Sequence, residues 1–170
     1  MSQKKVAIVT RTKDRALLLE RAIKSVHSQT MRDFVHVIIN DAGEKSSVDD
    51  LIDKYSNLID GRVQVIHNKK SNGMEAASNK AIRSVDSAYV AIHDDDDTWH
   101  PEFLERTIKQ LDDSHSMGVV VRTNKVTERV DEASRKVHHQ KTEPWMSDLK
   151  AINLYRQCID NQMTPITFVY

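Results

Sequence analysis

Short apolar runs alternate with stretches of helical periodicity over most of the chain. The apolar runs are rich in β-branched residues and predict buried strands at residues 6–10, 34–39, 63–67 and 89–93. Apolar residues at helical spacing predict a helix behind each strand, at about residues 17–28, 48–55, 75–84 and 103–111. Because strand and helix alternate four times, we expect an α/β domain with a doubly wound, mostly parallel central sheet.

The pattern changes after about residue 123. A further strand is predicted at residues 118–122, and residues 125–141 then alternate charged side chains with valines. Such a pattern is typical of an edge hairpin, a mobile loop, or both. Residues 148–158 have a weaker helical pattern, and residues 164–170 are again typical of a strand.

The length of 170 residues allows one domain with a sizeable core and is short for two. The sequence ends inside an apolar run. We therefore expect residues 1–170 to form a single domain that is incomplete at its C-terminus. Residues 4–122 would form its first half, and residues 123–170 would begin the second.

Composition narrows the class of protein. The 25 basic and 25 acidic residues cancel to a formal net charge of zero, so there is no bulk electrostatic argument for binding nucleic acid or an anionic membrane. The single cysteine, Cys158, excludes an internal disulfide and a cysteine-based zinc cluster. The first apolar run is too short for a signal peptide or a membrane span. We expect a cytoplasmic protein without a transmembrane segment, which could still associate with a membrane through its acceptor or through regions outside this sequence.

Four consecutive carboxylates, Asp94 to Asp97, follow the fourth predicted strand. Adjacent aspartates repel one another and disfavour strands and helix interiors, so folding alone does not explain them. A divalent cation would resolve the repulsion. Carboxylate oxygens suit Mg²⁺ or Mn²⁺, and Mg²⁺-type sites take one or two protein carboxylates and leave the other positions to water and substrate phosphates. The alternative is a solvated loop in which Asp97, with Pro101 and Glu102 behind it, marks a helix start.

The carboxyl ends of the other predicted strands are also polar. Arg11 to Asp14 follow the first strand, Asp41 follows the second, and residues 68–73 follow the third. The carboxyl ends of parallel strands share one edge of a sheet, so these segments should converge with the four aspartates on one crevice. Alone, Asp41 would be a turn residue beside Gly43. In the crevice, it becomes a candidate acceptor for a base N–H or a ribose hydroxyl.

Other conspicuous side chains have two interpretations each. Lys69 and Lys70 are expected to be solvated, although one of them could pair with a diphosphate. The imidazole of His93 is expected to be satisfied by backbone at the strand end, the alternative being a ligand beside the aspartates. Trp99 is expected to pack beneath the acidic loop. Trp145 lies in a polar stretch and is a candidate platform for stacking on a sugar.

Five segments carry a resemblance to a known family. They are residues 6–15 (VAIVTRTKDR), residues 25–30 (SVHSQT), residues 40–43 (NDAG), Asn72-Gly73 with Ala77 and Asn79, and residues 94–101 (DDDDTWHP). In this order, over residues 4–122, the chain resembles the GT-A glycosyltransferases of family 2. Each segment is common by itself, but the ordered set is specific.

The resemblance implies a GT-A fold and inverting transfer of a sugar from a nucleotide-diphospho-sugar donor to a hydroxyl acceptor. A UDP-sugar is favoured, with GDP- and dTDP-sugars as alternatives, and the acceptor would be a glycan or a lipid-linked molecule in surface glycan or polysaccharide synthesis. A divalent cation, Mn²⁺ or Mg²⁺, would bridge the diphosphate and stabilise the charge on the leaving nucleotide.

The resemblance also assigns residues. The nucleotide-sugar-binding residues that it implies are Arg11, Thr12, Lys13, Asp14, Asp41, Gly73, Asp94 and Asp95. Asp94 to Asp96 match the DxD element of the family. Within that element Asp96 is the expected metal ligand, and Asp95 or Asp94 is expected near the ribose.

Two departures from the family pattern matter. Lys13 stands where the family often has an aromatic residue that stacks on the base, so the base stays open. The inverting mechanism needs a carboxylate general base, which in the family lies downstream of the strand that residues 164–170 resemble. We expect that base beyond Tyr170, so the chain would bind donor and metal without efficient transfer.

Three other functions fit parts of the pattern. A nucleotidyltransferase of similar fold would make a sugar nucleotide, but the chain lacks a glycine-rich N-terminal phosphate loop. A response-regulator receiver domain would carry an acidic pair at the end of the first strand, where this chain has Thr10-Arg11. A non-catalytic sugar-nucleotide-binding module is the third alternative.

Overall fold

The computed structural model describes residues 3–131, 133–148, 157 and 162–170. The strands are β1 (Lys4–Thr12), β2 (Phe34–Asn40), β3 (Val63–His67), β4 (Ser87–Ile92), β5 (Val119–Val120), β6 (Thr123–Asp131), β7 (Lys136–Trp145) and β8 (Phe168–Val169). The helices are α1 (Ala16–His27), α2 (Lys45–Lys54), α3 (Ser56–Ile59), α4 (Met74–Ile82) and α5 (Phe103–Ser114), with a 3₁₀ turn at Pro165–Thr167.

Six strands form the central sheet in the order β3-β2-β1-β4-β8-β5. The first four run parallel, and β8 is antiparallel to both of its neighbours. This is the predicted α/β fold with a mostly parallel sheet. The alternation of side chains along β1 and β2 divides the core between two faces. One face packs against α1, α2 and α5, and the other packs against α4.

The first strand is longer than predicted. It runs from Lys4 to Thr12, so Arg11 and Thr12 belong to β1 and not to the polar break that was expected to begin at residue 11. Both residues pair with β2, in which Arg11 lies opposite Ile39 and Thr12 lies opposite Asn40. Pairing with a neighbouring strand holds this segment in the extended conformation despite its polarity.

The second half of the chain differs in detail from its pattern. The strand expected at residues 118–122 is reduced to β5, and the one expected at 164–170 is reduced to the 3₁₀ turn and β8. Val169 of β8 lies between Ala91 and Val119 and is fully buried.

Of the interpretations left open for residues 125–141, the structure has a hairpin, the antiparallel pair β6 and β7. It forms a two-stranded sheet of its own and does not lie at the edge of the central sheet. Most of the helix expected at residues 148–158 lies outside the described residues. No helix in the described part of the chain is both long enough and apolar enough to cross a bilayer.

Candidate functional site

A cavity of about 430 Å³ lies where the loops after β1, β2, β3 and β4 meet. It is lined by Arg11, Thr12, Lys13, Arg15, Asp41, Ser71, Gly73, Met74, Ala77, Asp94, Asp95 and Asp96. Eight of the nine residues that the resemblance assigned to donor and metal are in this set. The expected convergence of strand ends on one crevice is therefore present in the structure.

Asp14 is the assigned residue that does not line this crevice. Its carboxylate accepts a hydrogen bond from the backbone N–H of Glu44 at 2.7 Å, and its backbone is left-handed, with φ of 54°. Gly43 packs closely against it, since a Cβ atom on that glycine would lie 2.7 Å from the Asp14 nitrogen. Asp14 thus joins the loop after β1 to the loop after β2.

Asp41 organises the loop that follows β3. It is buried and accepts hydrogen bonds from Asn68 Nδ2 at 2.8 Å, from Ser71 Oγ at 2.7 Å, and from the backbone N–H groups of Asn72 and Gly73 at 3.2 Å. Burial opposes ionisation, but these donors together outweigh it and lower the pKa of Asp41. The carboxylate therefore stays charged and holds the crevice wall, and its contact with a base stays a prediction.

Gly73 is the residue just before helix α4, at the crevice wall. It precedes α4 with a left-handed φ of 88°, a conformation that favours glycine. The next residue, Met74, is largely exposed and lines the crevice. Lys69 and Lys70 are exposed, as predicted, and do not line it.

Two arginines, one on β1 and one just before α1, partly neutralise the acidic turn formed by Asp94 to Asp97. Arg11 forms an ion pair with Asp94. Arg15 contacts two carboxylates at once, with Nη1 2.8 Å from Asp95 Oδ1 and Nη2 2.7 Å from Asp96 Oδ2. Opposite charges at these distances offset the mutual repulsion of the aspartates.

Asp95 is the most buried member of the acidic turn, and its Oδ2 atom has no hydrogen-bond partner in the described part of the chain. Burial raises its pKa to about 6, although the Thr12 hydroxyl and the Arg15 guanidinium favour the charged form. Burial and the neighbouring carboxylates likewise raise the pKa of Asp97 to about 6. The raised pKa values show that the two arginines do not fully compensate the burial and mutual repulsion of these carboxylates, so a further cation would stabilise their charged forms.

The donor set fits a small divalent cation. Nowhere in the described residues do three or more His, Cys, Asp or Glu side chains group as a complete metal site. Mg²⁺ sites are commonly of this kind, because one or two carboxylates suffice when water and substrate phosphates supply the other ligands. The partner-free Asp95 oxygen and the exposed Asp96 carboxylate beside it suit such an ion.

Residues distant in sequence hold the acidic turn in place. His93 is fully buried, with Nδ1 2.9 Å from the Asp94 carbonyl oxygen, so the backbone-satisfied interpretation is confirmed. Trp99 packs edge-on against His93 and stacks on Phe103, and its Nε1 donates to the Ile166 carbonyl at 2.8 Å. The predicted packing role of Trp99 is confirmed as well.

The predicted helix start at Asp97 is wrong. The helix α5 begins at Phe103, and no side chain of its N-terminal residue caps it. Instead, Gln29 reaches over from the end of α1, where its Oε1 accepts a hydrogen bond from the Leu104 N–H at 3.0 Å. A capping acceptor supplied from another element leaves no local signal in the sequence.

A second cavity, of about 650 Å³, lies between α5 and the β6–β7 hairpin. Trp99, Phe103 and Trp145 contribute aromatic surface to it, and Arg106 and Arg122 add positive charge. The Nε1 atom of Trp145 is buried and has no partner within the residues the structure describes. The aromatic surface that lines this cavity suits a sugar, which presents apolar faces.

Comparison with known proteins identifies the family. The family model described as glycosyl transferase family 2 matches residues 6–167. The chain belongs to glycosyl transferase family 2. This membership favours glycosyl transfer over the nucleotidyltransferase and receiver-domain alternatives.

Two curated relatives illustrate the sequence similarity. The chain is 29% identical over 102 residues to the uncharacterized glycosyltransferase MJ1057 of Methanocaldococcus jannaschii, covering 60% of this chain and 35% of that protein. It is 34% identical over 99 residues to the putative colanic acid biosynthesis glycosyl transferase WcaA of Escherichia coli, covering 58% and 35%. The chain thus spans about a third of the length of these relatives.

Solved structures share the fold. The S. aureus TarS structure in complex with UDP matches with a TM-score of 0.64 and 19% identity, over 70% of this chain and 35% of that one. The mannosyltransferase PcManGT from Pyrobaculum calidifontis, in complex with GDP-Man and Mn²⁺, matches with a TM-score of 0.62 and 20% identity, over 72% and 37%. At these identities the comparison shows the GT-A fold.

The structure also brings residues to the crevice that the sequence had not assigned. Arg15, Ser71, Met74 and Ala77 line it beside the predicted set. Arg15 and Ser71 lie in loops that were expected at this edge, so their loop position was an available signal. Ala77 belongs to one of the segments that carry the family resemblance but had no assigned role, and Met74 was not singled out in the sequence.

Proposed function

We propose that this protein contains the donor-binding half of an inverting glycosyltransferase that acts in surface glycan or polysaccharide synthesis. The observation that carries the proposal is the single crevice in which eight assigned residues meet beside the acidic turn. Membership of glycosyl transferase family 2 supports it, as do relatives described as acting in colanic acid and teichuronic acid biosynthesis.

The donor is proposed to be a nucleotide-diphospho-sugar, with a UDP-sugar favoured and GDP- or dTDP-sugars as alternatives. Two structural neighbours were solved with UDP or UDP-GlcNAc, and a third was solved with GDP-Man. The base would lie between Lys13, in the loop after β1, and Met74, the first residue of α4, whose flexible side chains both line the crevice. Asp41 and the adjoining loop would face the base, and Asp94 or Asp95 would approach the ribose.

Asp96 is proposed to hold the metal, Mn²⁺ or Mg²⁺. Such an ion would supply positive charge that stabilises the negative charge developing on the leaving nucleotide. The exposed Asp96 carboxylate faces the crevice, and Asp95 lies buried next to it. The charge pattern of these residues supports the proposal, because their repulsion is relieved by a cation.

The acceptor is proposed to occupy the second cavity, with the Trp145 ring as a stacking platform. In this arrangement residues 4–122 form the donor-binding half, and residues 123–170 begin the acceptor-binding half of one domain. No described residue is assigned as the general base, which we place downstream of β8. A cytoplasmic location fits the use of nucleotide sugars, and membrane association would come through the acceptor.

Thermal denaturation tests this proposal without knowledge of the acceptor. The melting temperature is measured with UDP, GDP or dTDP, each with Mn²⁺ or with EDTA. We expect one nucleotide to raise it by a few degrees only with Mn²⁺, because a ligand that binds the folded state stabilises that state. If no nucleotide shifts the melting temperature under either condition, the proposed donor site is contradicted.

A further inference from the structure

Arg15 occupies the position where a metal would meet its carboxylates. It is the residue that precedes α1, and its guanidinium bridges Asp95 and Asp96 at 2.8 and 2.7 Å. Among the residues that the structure describes, no other cationic side chain forms an ion pair with either of these carboxylates. The guanidinium therefore supplies the positive charge that this part of the turn requires.

A metal on Asp96 and the guanidinium on the same carboxylate would oppose one another. Both are cations, and their repulsion within a few ångströms is strong in a partly buried site. The contact of Arg15 with Asp96 is weak, since the two side chains are 44% and 48% exposed. Asp95 is only 4% exposed, so Arg15 can leave it only because the incoming metal replaces its positive charge. Arg11 is far less able to leave, because its side chain is only 12% exposed in its pair with Asp94.

The same crevice offers a displaced guanidinium another partner. A nucleotide diphosphate bound there with the metal brings several anionic oxygens close to Arg15, which already lines the crevice. Guanidinium groups pair with phosphate oxygens in bidentate geometry, which is stronger than a single contact. Leaving the carboxylates and pairing with the diphosphate are thus two parts of one movement.

We infer that Arg15 is an exchangeable counter-ion, which holds Asp95 and Asp96 in the metal-free protein and moves to the donor diphosphate when the metal binds. This inference rests on the proposed function of the crevice. It follows that Arg15 weakens the binding of metal alone and strengthens the binding of nucleotide in the presence of metal. The two ligands therefore bind with positive coupling, and Arg15 is a source of it.

The test compares the wild-type chain with Arg15→Gln and with Arg129→Gln, which removes an exposed arginine on β6. Electron paramagnetic resonance measures Mn²⁺ binding without nucleotide, and calorimetry measures binding of UDP, or of GDP if UDP does not bind, at saturating Mn²⁺. In Arg15→Gln we expect Mn²⁺ alone to bind about threefold to tenfold tighter, because a competing cation is gone. We expect the nucleotide to bind about tenfold weaker, because a charge-assisted contact is lost. The Arg129→Gln protein should match the wild type in both.

Opposite changes in the two affinities distinguish this exchange from a purely structural role, which would weaken both. Unchanged or weaker Mn²⁺ binding in Arg15→Gln would overturn the inference, and so would unchanged nucleotide binding. Arg15→Lys keeps the charge but loses the bidentate geometry, so both of its affinities should lie between those of the wild type and Arg15→Gln, which excludes misfolding as the cause. If the wild-type chain binds neither Mn²⁺ nor nucleotide, the proposed function itself fails, and this shows before any substitution is made.

Discussion

Glu128 on β6 accepts a hydrogen bond from Arg21 on α1, with 2.6 Å between Oε2 and Nη1. The Nη2 atom of the same guanidinium donates to the backbone carbonyl of Asp96. One arginine therefore connects the hairpin of the second half to the acidic turn of the first. Because most of the hairpin is exposed, this contact couples the position of the hairpin to the structure of the acidic turn.

Replacing Glu128 with alanine should loosen the hairpin. The pair is about three-quarters buried on both sides, and a partly buried ion pair contributes about 1 kcal/mol. We expect amide hydrogen exchange in β6 and β7 to accelerate about threefold to tenfold, measured by mass spectrometry. Glu143→Ala is the matched control, since it removes an exposed ion pair with Lys141 in the same hairpin. Equal exchange rates in the two variants would contradict docking through Arg21.

Asp41→Asn should weaken nucleotide binding. The amide places an NH₂ group against the N–H donors of the loop after β3, so at least one buried hydrogen bond is lost and the crevice wall loosens. We expect about 1–2 kcal/mol less stability and about tenfold weaker nucleotide binding, from denaturant unfolding and calorimetry. Asp50→Asn, an exposed change on α2, is the control. An Asp41→Asn protein with wild-type affinity would show that the carboxylate does not shape this site.

His27 should make the protein less stable at mildly acidic pH. It is fully buried beside His36, and burial, reinforced by Arg62 and Arg32, lowers its pKa to about 4. The unfolded chain takes up a proton near pH 6.5, whereas the folded chain does so only near pH 4. Between these values the unfolded state binds more protons than the folded state. The contribution of His27 to the free energy of unfolding is therefore complete above pH 6.5 and is lost as the pH falls toward 4.

The variant His27→Phe isolates this effect. Between pH 7.5 and 5.5 the free energy of unfolding should fall by about 1 kcal/mol more in the wild type than in the variant, because the variant lacks the His27 imidazole while the buried His36 and His93 are present in both. Urea unfolding at several pH values measures the difference. Replacement of an exposed histidine on β7, His138→Gln, should leave the wild-type slope unchanged. Parallel pH profiles for His27→Phe and the wild type would contradict the buried neutral imidazole.

Gly118→Ala should destabilise the edge of the sheet. An added Cβ would lie 2.5 Å from the nearest ring atom of Phe168 in β8, so the ring or the strand must shift. We expect a loss of about 1–3 kcal/mol, the usual cost of overpacking, measured by thermal or denaturant unfolding. Ser116→Ala, at an exposed position nearby, is the control. Wild-type stability of Gly118→Ala would contradict the placement of β8 beside β5.

The features that were predicted correctly are those encoded locally. Alternating apolar runs and helical spacing predict the parallel strands, and parallel strands bring their carboxyl ends to one edge, so the meeting of Asp41 with Asp94 to Asp96 follows from the sequence. The error at Asp97 has the opposite origin. Gln29, 75 residues before Leu104, supplies the acceptor at the start of α5, and such a contact leaves no local pattern.

The contacts of Arg15 and Arg21 could not be predicted for a related reason. Both depend on how α1 is rotated and placed relative to the acidic turn, which tertiary packing decides. The short strand β8 is a further case, because its insertion beside Ala91 depends on pairing and not on its own propensity. Local pattern thus locates the strand ends, and tertiary contacts decide which charges meet there.

The most direct test of the central claim is calorimetric titration of UDP and GDP, with and without Mn²⁺, into the wild-type chain and into Asp96→Asn. The control is Asp113→Asn, which neutralises an exposed carboxylate on α5. The account predicts that one nucleotide binds the wild type and the control only with Mn²⁺, and that Asp96→Asn binds it at least about tenfold more weakly because a ligand to the bridging metal is lost. Metal-dependent binding that is equally tight in Asp96→Asn would contradict the assignment of the acidic turn as the metal site.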